Sequence, residues 1–156
     1  EFQGDMVPRV TYMGDPYSCA FSGKALTFFS SRNLASPELV EQRAIDERID
    51  SVFYSDEYAA AIVRNTNGEY GSRLEVYKKD GTHVLSKEFN FEYTHADFDG
   101  DLIILYNEDS CRIYNMNGTE KLDMTFDFPV SKIRKGRFPG TLVVTGPQQM
   151  RELKLR

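Results

Sequence analysis

Asp99-Gly-Asp-Leu-Ile-Ile-Leu-Tyr-Asn-Glu-Asp-Ser-Cys-Arg-Ile-Tyr-Asn-Met-Asn-Gly118 holds two kinds of strand between turn signals. Asp101–Tyr106 is a continuous apolar run, too short for a typical helix and rich in strand formers, as expected of a strand covered on both faces. Cys111-Arg-Ile-Tyr114 alternates apolar and polar residues, so one of its faces is buried and the other wet. Asp99-Gly100 and Asn117-Gly118 are hairpin signals, because Gly supplies the positive φ that a tight turn needs.

The same grammar recurs outward from this stretch. Apolar runs follow turns at Ser22-Gly23 (Lys24–Phe29), Ser55-Asp56 (Tyr58–Val63) and Pro139-Gly140 (Thr141–Val144). Alternating runs are Leu74–Tyr77, leading to Lys79-Asp-Gly81, and Met150–Leu155. The first turn of each unit falls near Gly23, Asp56, Gly100 and Gly140, and the second at Gly81 and Gly118. A period of roughly 40 residues with four strands per unit is the blade length of a propeller. The expected fold is therefore all-β, with about four repeats of propeller-type four-stranded antiparallel blades, a partial or half propeller. The approximate units are 17–49, 50–92, 93–130 and 131–156, after a lead-in of residues 1–16 in which Val7–Tyr12 supplies one strand. Ser36–Ile45 reads either as a helix capped at Ser36 with Pro37 in its first turn, or as the outer strand of the first blade. The repeat register favours the strand.

The 156 residues, 40% apolar and 28% charged, are those of a globular chain of one-domain size. The 11 Phe and 9 Tyr suit pleated surfaces. No run approaches the roughly 20 apolar residues of a membrane-spanning helix. A net charge of −5 argues against a general nucleic-acid binder. Its distribution is uneven: residues 131–156 carry seven basic side chains against one acid, or +6, which leaves −11 for the rest. Lys132, Arg134, Lys135 and Arg137 are the candidate patch for an anionic partner; otherwise they are strand charges paired with nearby acids.

Ser30–Ile49, Leu74–Gly81, Gly100–Tyr114 and Leu153-Lys-Leu155 resemble an uncharacterised bacterial family of Gram-positive anaerobes, of unknown function. That family is distantly similar to quinoprotein-type and WD40-like repeats. The resemblance covers residues 17–156. It implies a membrane-anchored, extracytoplasmic propeller whose anchor would lie outside this sequence, and it supplies no catalytic residues. A full ring of seven or eight blades needs about 280–340 residues at this period. The expectation is a homodimer closing an eight-blade ring, or a portion of a longer propeller, with open strand edges available for pairing; a four-bladed ring is less common.

Asp97-Phe-Asp-Gly-Asp101 is the sharpest polar cluster. Asp97, Asp99 and Asp101 are weak metal candidates, because alternate carboxylates could gather around Ca²⁺, but the EF-hand spacing is not met. A hairpin turn explains them as well. His83 and His95 lack the close spacing of zinc ligands. No nucleophile elbow, phosphate loop or dinucleotide fingerprint occurs, so neither a catalytic residue nor a cofactor is expected. Cys19 and Cys111 read as buried thiols in strands, with pairing left open. Asn117-Gly-Thr119 matches a glycosylation sequon but reads as a turn. Tyr58, Tyr70, Tyr77, Tyr93, Tyr106 and Tyr114 read as core and rim packing rather than a sugar-stacking surface. The expected function is a non-catalytic interaction or scaffold module at the cell surface, binding a protein or polymer partner or associating with itself. The alternatives are a glycan-active enzyme using Asp97 and Asp101, a sugar-binding propeller, or an architectural oligomerisation domain.

Overall fold

A computed structural model describes residues 9–13, 15–33, 35–65 and 69–155. Gly4, Pro8, Gly14 and Arg156 lie outside them, as does the start of the lead-in. The chain divides into two compact units, residues 1–90 and 91–156.

The first unit holds two antiparallel sheets. One is β1 (Arg9–Tyr12), β2 (Tyr17–Phe21), β3 (Ala25–Ser30) and β4 (Glu38–Ala44); the other is β5 (Ile49–Tyr54), β6 (Tyr58–Arg64), β7 (Ser72–Lys78) and β8 (His83–Phe89). The second unit holds β9 (His95–Asp99), β10 (Leu102–Tyr106), β11 (Ser110–Asn115) and β12 (Glu120–Thr125), then β13 (Lys132–Lys135), β14 (Thr141–Thr145) and β15 (Met150–Lys154). Strands pair in sequence order in every sheet. The fold is all-β, in four propeller-type sheets. The last has three strands among the described residues, one fewer than the repeat predicts.

Residues 38–44 form a strand, not a helix. Pro37, which cannot donate to a ladder, stands just before β4, and the strand then pairs along β3 with one bulge at Phe28/Phe29. Leu39 and Val40 stay exposed, so these residues bury no helix-type apolar stripe. The first repeat is shifted by one strand relative to the others. Because β1 pairs with β2, the Gly23 turn joins the second and third strands of its sheet, whereas the Asp56, Gly100 and Gly140 turns join the first and second.

The turns explain the second spacing in the sequence. Gly81 N–H donates to Lys78 O (2.9 Å) and Lys78 N–H to Thr82 O (2.8 Å); Gly118 and Asn115 repeat both bonds with Asn115 O and Thr119 O at 3.1 and 3.0 Å. Each is a tight turn closed by a left-handed glycine, with φ of 86° and 83°.

Each unit has a core shared by its two sheets. In the first, Phe21, Leu26 and Phe28 of one sheet meet Ala59, Ala61 and Val63 of the other, so small residues on β6 accept large rings opposite. In the second, Leu102, Ile104, Cys111 and Ile113 meet Ile133, Leu142 and Val144. Burying each large side chain contributes about 1.5–3 kcal/mol. β6 and β10 are buried on both faces, which is why they read as unbroken apolar runs.

Candidate functional site

In the second unit the hairpin from β9 to β10 turns on Gly100-Asp101, with Asp99 paired to Leu102 and a positive φ at Gly100. The three aspartates do not converge. Asp97 is exposed, and its Oδ1 accepts the neighbouring Phe98 N–H at 2.9 Å. Asp99 Oδ2 accepts the backbone N–H of Lys135. Asp101 Oδ1 accepts Lys135 Nζ at 2.9 Å, and this bond holds its carboxyl below the usual carboxylate range. Asp101 thus stays ionised into acidic pH, the opposite of the raised pKa a glycosidase general acid needs. Among the described residues no group of three or more His, Cys, Asp or Glu is placed to hold a metal.

The same contacts divide the basic patch. Lys135 lies against the β9–β10 turn so closely that a Cβ on Gly100 would stand 2.6 Å from its Nζ. Lys132, Arg134 and Arg137 are exposed, and their side chains have no hydrogen-bond or ion-pair partner among the described residues. Lys132 and Arg134 flank the buried Ile133 on β13, an edge strand. Charge along such an edge also discourages unwanted strand pairing.

Arg137 belongs to a cleft of about 530 Å³ that the linear sequence does not reveal. Asp101, Asn115 and residues 136–140 line it from three different hairpins, with Lys121 of β12, Thr141 and Leu155. Lys121 likewise has no side-chain partner among the described residues. Phe138, also in the lining, is 61% exposed. Its backbone is fixed: Thr141 donates its N–H (3.2 Å) and its hydroxyl (2.7 Å) to the Phe138 carbonyl. Pro139 and Gly140 (φ 73°) occupy the two central positions of this turn, as a type II turn requires.

The first unit holds a second polar cavity, of about 590 Å³, lined by Arg43, Glu47, Arg73, Glu75, Tyr77 and His83 among others. Glu75 is buried and accepts from Arg73 Nε (2.7 Å) and Ser86 Oγ (2.7 Å), and it pairs with His83 Nε2 at 2.9 Å. Arg73 also reaches Glu47 at 2.8 Å. That bond draws Glu47 below the usual carboxylate range and raises the Arg73 guanidinium above its ordinary value. Both Glu75 oxygens are engaged, so the arrangement is that of a fixed anion in a charge network. Sequence alternation places Glu75 on the wet face of β7. The cross-strand pairing of Glu75 with Ser86 shows why that face can be closed by polar contacts.

His95 stacks on Tyr106 at 4.8 Å. Tyr77, Tyr106 and Tyr114 are buried, Tyr58 and Tyr93 half-buried, and only Tyr70 of the six is exposed. Cys19 and Cys111 are both free and buried, and burial pushes each thiol up to about 12. Asn117-Gly118-Thr119 lies in the β11–β12 turn, where Asn117 Oδ1 accepts the Thr119 hydroxyl at 2.6 Å.

A sequence profile described as "Family of unknown function (DUF5711)" matches residues 1–155, and the chain belongs to that family. No curated protein sequence matches it. Solved structures do, and they are propeller-like folds. A functionally unknown protein from Desulfotomaculum acetoxidans has a TM-score of 0.58 at 11% identity over 99% of this chain and 56% of its own. BBS1N, crystallised in complex with ARL6DN, scores 0.57 at 9% identity over 95% and 51%. Kuenenia stuttgartiensis hydrazine synthase scores 0.54 at 9% identity over 99% and 49%. The chain spans about half the length of these structures, and at such identities the likeness is one of fold.

Proposed function

We propose that this member of the family is a non-catalytic binding module of the bacterial cell surface that engages an acidic polymer through its second unit. The observation that carries the reading is charge without compensation. Lys121, Lys132, Arg134 and Arg137 are four cations unpaired among the described residues, in a chain whose net charge is −5. Cations without a carboxylate partner in an acidic protein attract an anionic partner. Other charged groups are paired internally, as at Glu75 and Asp101. The cell-surface location rests on the resemblance drawn from the sequence.

The test is retention on an immobilised polyanion as salt is raised. The wild-type chain is expected to bind at low salt and to elute as screening grows. Lys121→Glu with Arg137→Glu is expected to abolish retention, and Lys132→Glu with Arg134→Glu to lower the salt at which the protein elutes. Equal retention of both double variants and the wild type would overturn the reading.

A further inference from the structure

The cleft around Phe138 carries more information than its charge. We infer that it is a subsite for an acidic sugar, a uronate-type residue of a polysaccharide; this rests on the anionic-partner reading above and names its chemistry.

Three features point to this ligand together. First, Phe138 is an exposed ring, 61% accessible, on a turn fixed by two hydrogen bonds to its own carbonyl. An aromatic ring held open to solvent at the lining of a cleft offers a flat apolar platform, and the C–H face of a pyranose is the complementary surface. Second, Lys121 and Arg137 line the same cleft with no side-chain partner among the described residues. Both supply positive charge to the cleft, and a guanidinium can meet a carboxylate with two parallel bonds. Third, Asp101 is part of the lining, and its ion pair with Lys135 keeps it ionised and in place. An ionised carboxylate at the exposed rim of a basic cleft accepts hydrogen bonds from hydroxyl groups and repels a continuous run of phosphates. A sugar acid has an apolar ring face, hydroxyls and one carboxylate. A nucleic acid strand would supply the stacking but would bring its phosphates against Asp101. An acidic peptide would satisfy the cations and leave Phe138 unused. The cleft volume of about 530 Å³ is on the scale of a site for one or two sugar rings.

The experiment is calorimetric titration of the whole chain at low salt with tri-galacturonate, the neutral galactose trisaccharide, hexaglutamate and a short single-stranded DNA. Tri-galacturonate is expected to bind at least about tenfold more tightly than each of the other three. Phe138→Ala is expected to weaken tri-galacturonate roughly tenfold and to leave hexaglutamate unchanged. Arg137→Ala is expected to reduce the preference for the charged over the neutral trisaccharide. Phe138 is exposed, so its truncation leaves the fold intact, and an unchanged melting curve checks this. If hexaglutamate or DNA binds as tightly as the uronate, or if Phe138→Ala binds the uronate like the wild type, the sugar inference falls while the polyanion reading stands. If none of the anions binds, both fall.

Discussion

Replacing Glu75 with Ala removes the carboxylate that ties β7 to β8. Its side chain is 12% exposed and takes bonds from Arg73, Ser86 and His83 at 2.7–2.9 Å. A hydrogen bond to a charged group contributes about 1.5–3 kcal/mol, and stranding a buried partner costs more than a balanced loss. Two features reduce the total: Arg73 keeps Glu47 at 2.8 Å, and the cavity beside them can admit water. The net cost is about 2–4 kcal/mol, below the roughly 3–5 kcal/mol of a fully buried pair. Glu75→Gln keeps the shape and one acceptor, and should cost about half as much. Glu47→Gln should cost under about 1 kcal/mol, as a partly exposed ion pair does. Hydrogen exchange along β7 and β8 reads these losses directly, since 2–4 kcal/mol of local or global destabilisation is about 30- to 1,000-fold in exchange rate. A Glu75→Ala chain within about 0.5 kcal/mol of wild type, or a Glu47→Gln chain equally damaged, would show that Glu75 does not tie β7 to β8.

Further outcomes follow from the turns and the buried groups. Gly140→Ala meets open space and should cost about 1–2 kcal/mol for its left-handed backbone, whereas Gly81→Ala also drives a Cβ to 2.5 Å from Glu41 Cβ and should cost clearly more; urea denaturation of the two variants compares them. Asp101 has a depressed folded pKa, so its ion pair contributes above the unfolded carboxylate pKa and is lost as pH falls through the folded one. Lys135→Ala should return the Asp101 carboxyl titration, followed by NMR, to the ordinary range, with little effect on overall stability because the pair is exposed. Cys19 and Cys111 should resist a thiol reagent at pH 8 in the native protein and react on unfolding, one reporting on each unit; rapid native labelling would contradict their burial.

What the sequence disclosed is what the backbone decides locally. Runs such as Leu102–Tyr106 and Ala59–Val63 and the glycine turns at 81 and 118 carry their structure within a few residues, because side-chain period and positive φ are local properties. Residues 38–44 were legible only through their place in the repeat. The one-strand shift of the first sheet was hidden because β1 is four residues long and its pairing with β2 is tertiary. The candidate site was half legible. Counting charges singles out residues 132–137, but only the folded chain shows that Lys135 is spent on Asp99 and Asp101 while its neighbours are not. Lys121 and Phe138 carry no sequence signal because they come from different hairpins whose convergence leaves no mark in spacing. Glu75 looked like a wet-face residue because alternation cannot register the donors waiting on the next strand.

Amide chemical-shift mapping of the chain during titration with an oligogalacturonate locates the anion-binding surface residue by residue. Perturbations are expected to concentrate at residues 115–121 and 135–141, to weaken with salt and to be absent in Lys121→Glu with Arg137→Glu. Perturbations centred on the Glu75 cavity of the first unit, or none in the second unit at saturating ligand, would contradict it.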